Sequence, residues 1–360
     1  MTVMEVNRKR YTELDIVRAV SLLFLPIIHV YEEMELKGTL TAEALDSCRW
    51  VLTLCVYAPS VFMICFGANL FFAKEKTPGE YAKRGLKFLL IGVVLNILRF
   101  MVPSLIVGST ELIRDSFNNI LASDIYDFVG AFLLVFALFK KLKMSDFAML
   151  ITAMIMLLLN TLIPPATVEG PIAFFLGRFY YVNENSYFPL LSWTIFPIMG
   201  YCFGKIYRSF QTEQDRRSFL SRILIFSYVM YCALFYTFRS YRLNPELIEL
   251  SPSNAYITDY GNVLMLVFIA GMFISLIYFF YMKWSETRPI KALVRLSAVI
   301  MPFYLIQWII IGWMEQFMDG YGFPKASIGV AGFYVLSLGI TLVTALLAKV
   351  FGEKINRILK

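Results

Sequence analysis

His29 is the only histidine in 360 residues, and it lies in the first long apolar segment, LDIVRAVSLLFLPIIHV, with Asp15 and Arg18. Arg18 and His29 are eleven steps apart. At about 100° per residue this comes to about 1100°, within roughly 20° of whole turns of an α-helix. Asp15 falls about 60° from Arg18 and about 40° from His29 on the same wheel. One stripe of an apolar helix thus carries an acid, a guanidinium and an imidazole, with Arg18 and His29 about 16 Å apart along the axis. An ionisable side chain inside a bilayer costs roughly 2.5–3.5 kcal/mol on insertion scales, so such a stripe points to a reaction or transport site. Imidazole is the side chain suited to general-base work near neutrality.

Other residue types extend this chemistry. Glu33 stands at i+4 from His29, a spacing that brings helical side chains together, and a carboxylate there would orient the ring. Lys83-Arg84-Gly85-Leu86-Lys87 opens a later apolar segment. Arg84 and Lys87 share a helix face and, with Arg18, suit the phosphates of a nucleotide; the alternative is a plain positive anchor at the membrane surface. An anion-binding cluster at one depth and a base at another suggest group transfer across the bilayer. Asp124 and Asp127 in ASDIYDFVG, with Gln307, are further polar groups in or beside apolar segments and candidates for lining an acceptor pocket. With one histidine and five cysteines that show no CxxC spacing, no metal site is expected.

The elements that must hold these groups are membrane helices. The chain is 59% hydrophobic and only 16% charged, where a soluble domain carries about 25%. Ten apolar stretches are long enough to span, at 13–33, 47–72, 84–106, 119–139, 146–163, 187–207, 219–239, 260–282, 294–314 and 327–350. The expected fold is an all-α bundle of about ten transmembrane helices forming one domain over 1–360. Ordered loops at 164–186 and 240–259 are expected to cap it, and Pro26 is expected to kink the first helix beside His29.

The net charge of +7 does not point to nucleic acid, because the basic residues fall in alternate loops. One side holds 24 of them and the other 8, and Arg18 within the first span completes the 33. That bias places both termini in the cytoplasm, Arg18 near the inner surface and His29 towards the outer leaflet.

These residues carry a resemblance. YTELDIVRAVSLLFLPIIHV resembles the opening helix of the acyltransferase-3 family, in which an Arg precedes a His by ten intervening residues. KRGLKFLLIG is similar to that family's Arg-x-x-Arg motif, with Lys87 in place of the second arginine. APSVFMICFGANLFF and MPFYLIQWIIIG look like two of its later segments, Gln307 standing near where many relatives carry a histidine. The same features, ASDIYDFVG above all, are similar to the heparan-alpha-glucosaminide N-acetyltransferase-like branch of the transmembrane acyltransferases.

The resemblance implies transfer of an acyl group, commonly acetyl, from cytoplasmic acyl-CoA to a hydroxyl or amine of an extracytoplasmic glycan or glycolipid. It implies His29 as base or transient acyl acceptor, and Arg18, Arg84 and Lys87 as the CoA-binding set. The expectation is therefore an acyltransferase, O-acetylating by preference, in a bacterial cytoplasmic membrane and acting on the cell envelope. Its rival is a secondary transporter that uses Asp15, Arg18 and His29 as a proton relay.

Overall fold

The computed structural model describes residues 11–55, 57–163, 175–180, 188–241 and 260–359. Among them every regular element is helical, apart from one isolated bridge between Leu40 and Ile328. In chain order the helices are α1 (Thr12–Leu36), α2 (Ala42–Cys55), α3 (Ala58–Phe72) and α4 (Pro78–Val107). Next come α5 (Thr110–Asn119), α6 (Ile125–Lys141) and α7 (Asp146–Leu162). A four-residue turn at Leu190–Trp193 leads into α8 (Ile195–Ser209) and α9 (Glu213–Tyr241). The last helices are α10 (Tyr260–Trp284), α11 (Arg288–Ser297), α12 (Ile300–Gly320) and α13 (Val330–Leu359).

A helix stands at each of the ten expected stretches, with three differences. The stretch 47–72 divides between α2 and α3. The stretch 119–139 begins only at Ile125, because the Asp124 side chain caps that helix end by accepting from the Ile125 amide at 2.5 Å. The stretch 294–314 covers the end of α11 and most of α12, which meet at an 83° bend. Among the described residues, five helices are long and apolar enough to cross a membrane, or six if the bent pair is one span; α3 and α7 are shorter apolar helices. The expected caps at 164–186 and 240–259 fall largely outside the described residues.

α1 is the axis of the bundle. It packs against α2, α3, α10, α11, α12 and α13, and it runs through Pro26 without a break. Two-thirds of its most apolar window is buried, against 11–39% for the other long helices. A helix surrounded by other helices keeps its polar stripe away from lipid, which is the condition for tolerating ionisable groups at that depth.

The end of α1 nearest His29 is braced from across the bundle. Thr39 accepts from the Ser327 and Ile328 amides at 2.9 and 3.0 Å, and Thr41 N–H donates to Ile328 O at 3.0 Å. Lys37 bridges Asp319 at 2.5 Å and Glu315 at 3.1 Å. Burial alone would lower the Lys37 ammonium, but the two carboxylates outweigh it and hold it charged above its usual range.

Candidate active site

His29 is 5% exposed and is held on two sides by α12. Its Nδ1 lies 2.5 Å from Gln307 Nε2, and its ring stacks on Trp308 with centroids 3.9 Å apart and planes 21° apart. The other face of this arrangement is Arg99, whose guanidinium carbon sits 3.6 Å from the Trp308 ring centre. Arg99 in turn pairs with Glu33 at 2.6 Å. Imidazole, indole and guanidinium therefore form a layered stack whose outer charge is neutralised by a carboxylate.

Local structure explains why Arg99 reaches this place. Residues Ile97–Met101 of α4 form a π-helical turn, which re-aims side chains relative to a regular helix. The opposing position on α12 is Gly312, where a Cβ would stand 2.1 Å from Arg99 Cγ. No side chain fits there. Gly312, Trp308, Tyr304 and Glu315 lie on one face of α12 by their spacing, so a single helix face supplies most of the wall.

The i+4 spacing pointed to Glu33 as the partner of His29. Instead Gln307 holds Nδ1 and Glu33 is committed to Arg99. The pairing of Gln307 with the ring admits two proton arrangements. With the amide NH2 donating, the ring proton sits on Nε2 and the histidine is no base towards that side. In that arrangement Gln307 Oε1 is buried with no hydrogen-bond partner. With the amide oxygen accepting from Nδ1–H, that oxygen gains a donor and Nε2 keeps its lone pair.

Two cavities meet the polar stripe at different depths. The larger, about 530 Å³, is lined by Asp15, Arg18, Asn69, Arg84, Tyr126 and Tyr304, with Asn356 and Leu359 from the end of α13. The smaller, about 100 Å³, is lined by His29, Glu33, Asn96, Arg99, Ser123, Asp124, Trp308 and Glu315. Arg18, Asp15 and Arg84 are thus brought together, Arg18 contacting Asp15 at 3.3 Å. Lys87 does not line this cavity; it lies half-buried one helical turn beyond Arg84.

Among the acceptor-pocket candidates, Gln307 bonds to His29 and Asp124 lines the same small cavity as His29. Asp124 Oδ1 accepts from the Tyr304 hydroxyl at 2.5 Å, while its Oδ2 is buried without a hydrogen-bond partner. Asp127 lies outside both cavities. It packs against Gly92, where a Cβ would meet its Oδ2 at 2.6 Å, and pairs with Arg178 at 3.2 Å. Its position at the α4–α6 crossing is that of a helix-pairing residue. Among the described residues no group of three His, Cys, Asp or Glu side chains is placed to hold a metal ion.

Tyr304 and Trp308 were not singled out as site residues by the sequence. A signal existed: Tyr304, Gln307 and Trp308 stand at i, i+3 and i+4, one polar-tipped face in an apolar helix.

A basic-ended cavity, a buried imidazole and a second cavity are strung along one central helix of an all-helical chain whose longest helices are apolar enough to cross a membrane. Residues 10–233 match the family model described as Heparan-alpha-glucosaminide N-acetyltransferase, catalytic, and the chain belongs to that family of acetyltransferases. No curated protein and no solved structure matches it. The match is to the second of the two families that the sequence resembles; the likeness to acyltransferase-3 rests on the motifs around Arg18, His29 and Arg84. The matched region holds Arg18, His29, Arg84, Arg99 and Asp124, but ends before α12, which supplies Tyr304, Gln307 and Trp308.

Proposed function

We propose that the protein moves an acetyl group from cytoplasmic acetyl-CoA, through the interior of the bundle, to a hydroxyl or amine of an extracytoplasmic cell-envelope glycan or glycolipid. The observation that carries this reading is the placement of Arg18 and His29 at two depths of one buried helix, each facing its own cavity. The bias of 24 basic residues against 8 supports ten spans with both termini in the cytoplasm, as in a bacterial inner membrane, and supports reading the larger cavity as the donor side.

In this reading Arg18 and Arg84 hold the donor's phosphates, the planar guanidinium offering paired donors to phosphate oxygens. The aromatic walls of Phe62, Phe66 and Phe88 exclude water from the arm that carries the thioester. The smaller pocket, with its Glu33, Asp124 and Glu315 carboxylates, suits a sugar's hydroxyls or ammonium. His29 Nε2 takes a proton from the acceptor as its oxygen or nitrogen attacks the thioester carbonyl. The carbon–sulfur bond then breaks, and the sulfur leaves with the electron pair and regains a proton. A general base so placed contributes about 10²–10⁴-fold to rate.

The test uses the full chain in lipid nanodiscs with acetyl-labelled acetyl-CoA and methyl α-glucosaminide, which offers an amine and hydroxyls together. Labelled acetyl should appear on the sugar, His29→Ala should bind donor and transfer almost nothing, and the position of the label decides between N- and O-transfer. A folded, donor-binding wild type that acetylates no sugar or envelope glycan, yet drives proton-coupled uptake, would replace this reading with a transporter.

A further inference from the structure

No described residue lines both cavities, yet transfer requires the thioester and the base-bound acceptor to touch. The two walls touch around Tyr304 and Asp124. Tyr304 faces the donor cavity and Asp124 the smaller pocket, and the 2.5 Å hydrogen bond from the Tyr304 hydroxyl to Asp124 Oδ1 joins them. The Tyr304 ring is wedged between Tyr126 at 5.5 Å, His29 at 6.3 Å and Trp308 at 6.4 Å, and only 4% of its surface is exposed. Tyr126 is itself tied to α12, its hydroxyl donating to Met301 O at 3.1 Å. Asp124, which lines the His29 pocket, keeps Oδ2 buried and without a hydrogen-bond partner.

Building on the transfer reading above, we propose that Tyr304 is the positioning residue that separates donor from acceptor. Its ring keeps water of the outer pocket from the thioester, and its hydroxyl holds Asp124 with Oδ2 presented to the acceptor. An acceptor hydroxyl or ammonium donating to Oδ2 competes for the same carboxylate that anchors Tyr304. Acceptor binding thereby loosens the partition when a nucleophile is in place, and the side reaction is suppressed at other times. That side reaction is hydrolysis: water oxygen bonds to the acetyl carbon, the carbon–sulfur bond breaks, and sulfur leaves with the electron pair and takes one of the water protons. The products are acetic acid and free thiol.

Full-length protein in nanodiscs is assayed for thiol release from acetyl-CoA with and without methyl α-glucosaminide. Wild type should release thiol mainly in the presence of the sugar. Tyr304→Gly should raise sugar-independent release at least about tenfold, and adding His29→Ala should abolish the gain, because the water arrives from the His29 side. Tyr304→Phe keeps the ring but removes its anchor on Asp124, so sugar-independent release should rise, by less than in Tyr304→Gly. The same variant should raise the acceptor KM about tenfold through loss of a hydrogen bond to a carboxylate. The Phe variant decides the matter if the Gly variant does not fold. Unchanged acceptor KM in Tyr304→Phe, or wild-type acceptor dependence in a donor-binding Tyr304→Gly, overturns the proposal. A wild type that transfers nothing overturns the transfer reading instead.

Discussion

Replacing Gln307 by Leu tests whether the imidazole works through a tautomer fixed by α12. Leu is close in volume and cannot hydrogen-bond, so the stack of His29 on Trp308 is retained while Nδ1 loses its partner. The lost hydrogen bond is worth about 0.5–1.5 kcal/mol, and a buried ring N–H left unpaired costs about 1–3 kcal/mol. If the larger of these, about 1–3 kcal/mol, falls on the protonated form that arises in the transition state, kcat drops by about 5–150-fold. Donor affinity stays the same, because Gln307 does not line the larger cavity. Gln307→Glu, which can still accept from Nδ1–H, should retain more activity than the Leu variant. Steady-state kinetics with separate kcat and KM for both substrates reads the outcome. A Leu variant within twofold of wild type, or one that changes only the donor KM, would refute the argument that Gln307 orients the base.

Three further outcomes follow from the same geometry. Arg84→Gln should weaken acetyl-CoA binding about tenfold by isothermal titration, whereas Lys87→Gln, outside the cavity lining, should stay within about twofold of wild type. Arg99→Ala should destabilise the protein by about 3–5 kcal/mol, since it leaves Glu33 buried without its cation; the double change with Glu33→Gln should restore much of this in a detergent melting assay. Gly312→Ala should cost about 1–3 kcal/mol and lower kcat, because its methyl group occupies the place of Arg99 Cγ.

The sequence by itself determined the class of the protein and its central polar stripe. Apolar runs near twenty residues dictate helices in a bilayer, since the backbone must satisfy its own hydrogen bonds there. The eleven-residue step from Arg18 to His29 follows from helical geometry alone, and both belong to the helix that proves most enclosed. What periodicity within one helix does not contain is which other helix meets that stripe. Glu33 was the local choice for His29 because i+4 neighbours touch, but Arg99 from α4 competes for that carboxylate and Gln307 from α12 takes the imidazole. Asp124 and Asp127 are three residues apart and look alike in sequence. Only the packing of α6 against α4 and α12 turns one to the Tyr304 partition and the other to Arg178. Lys87 falls outside the larger cavity and Asn356 inside it for the same reason. A helix face is a local property, whereas a cavity is made by the crossing of several helices and so belongs to the tertiary structure.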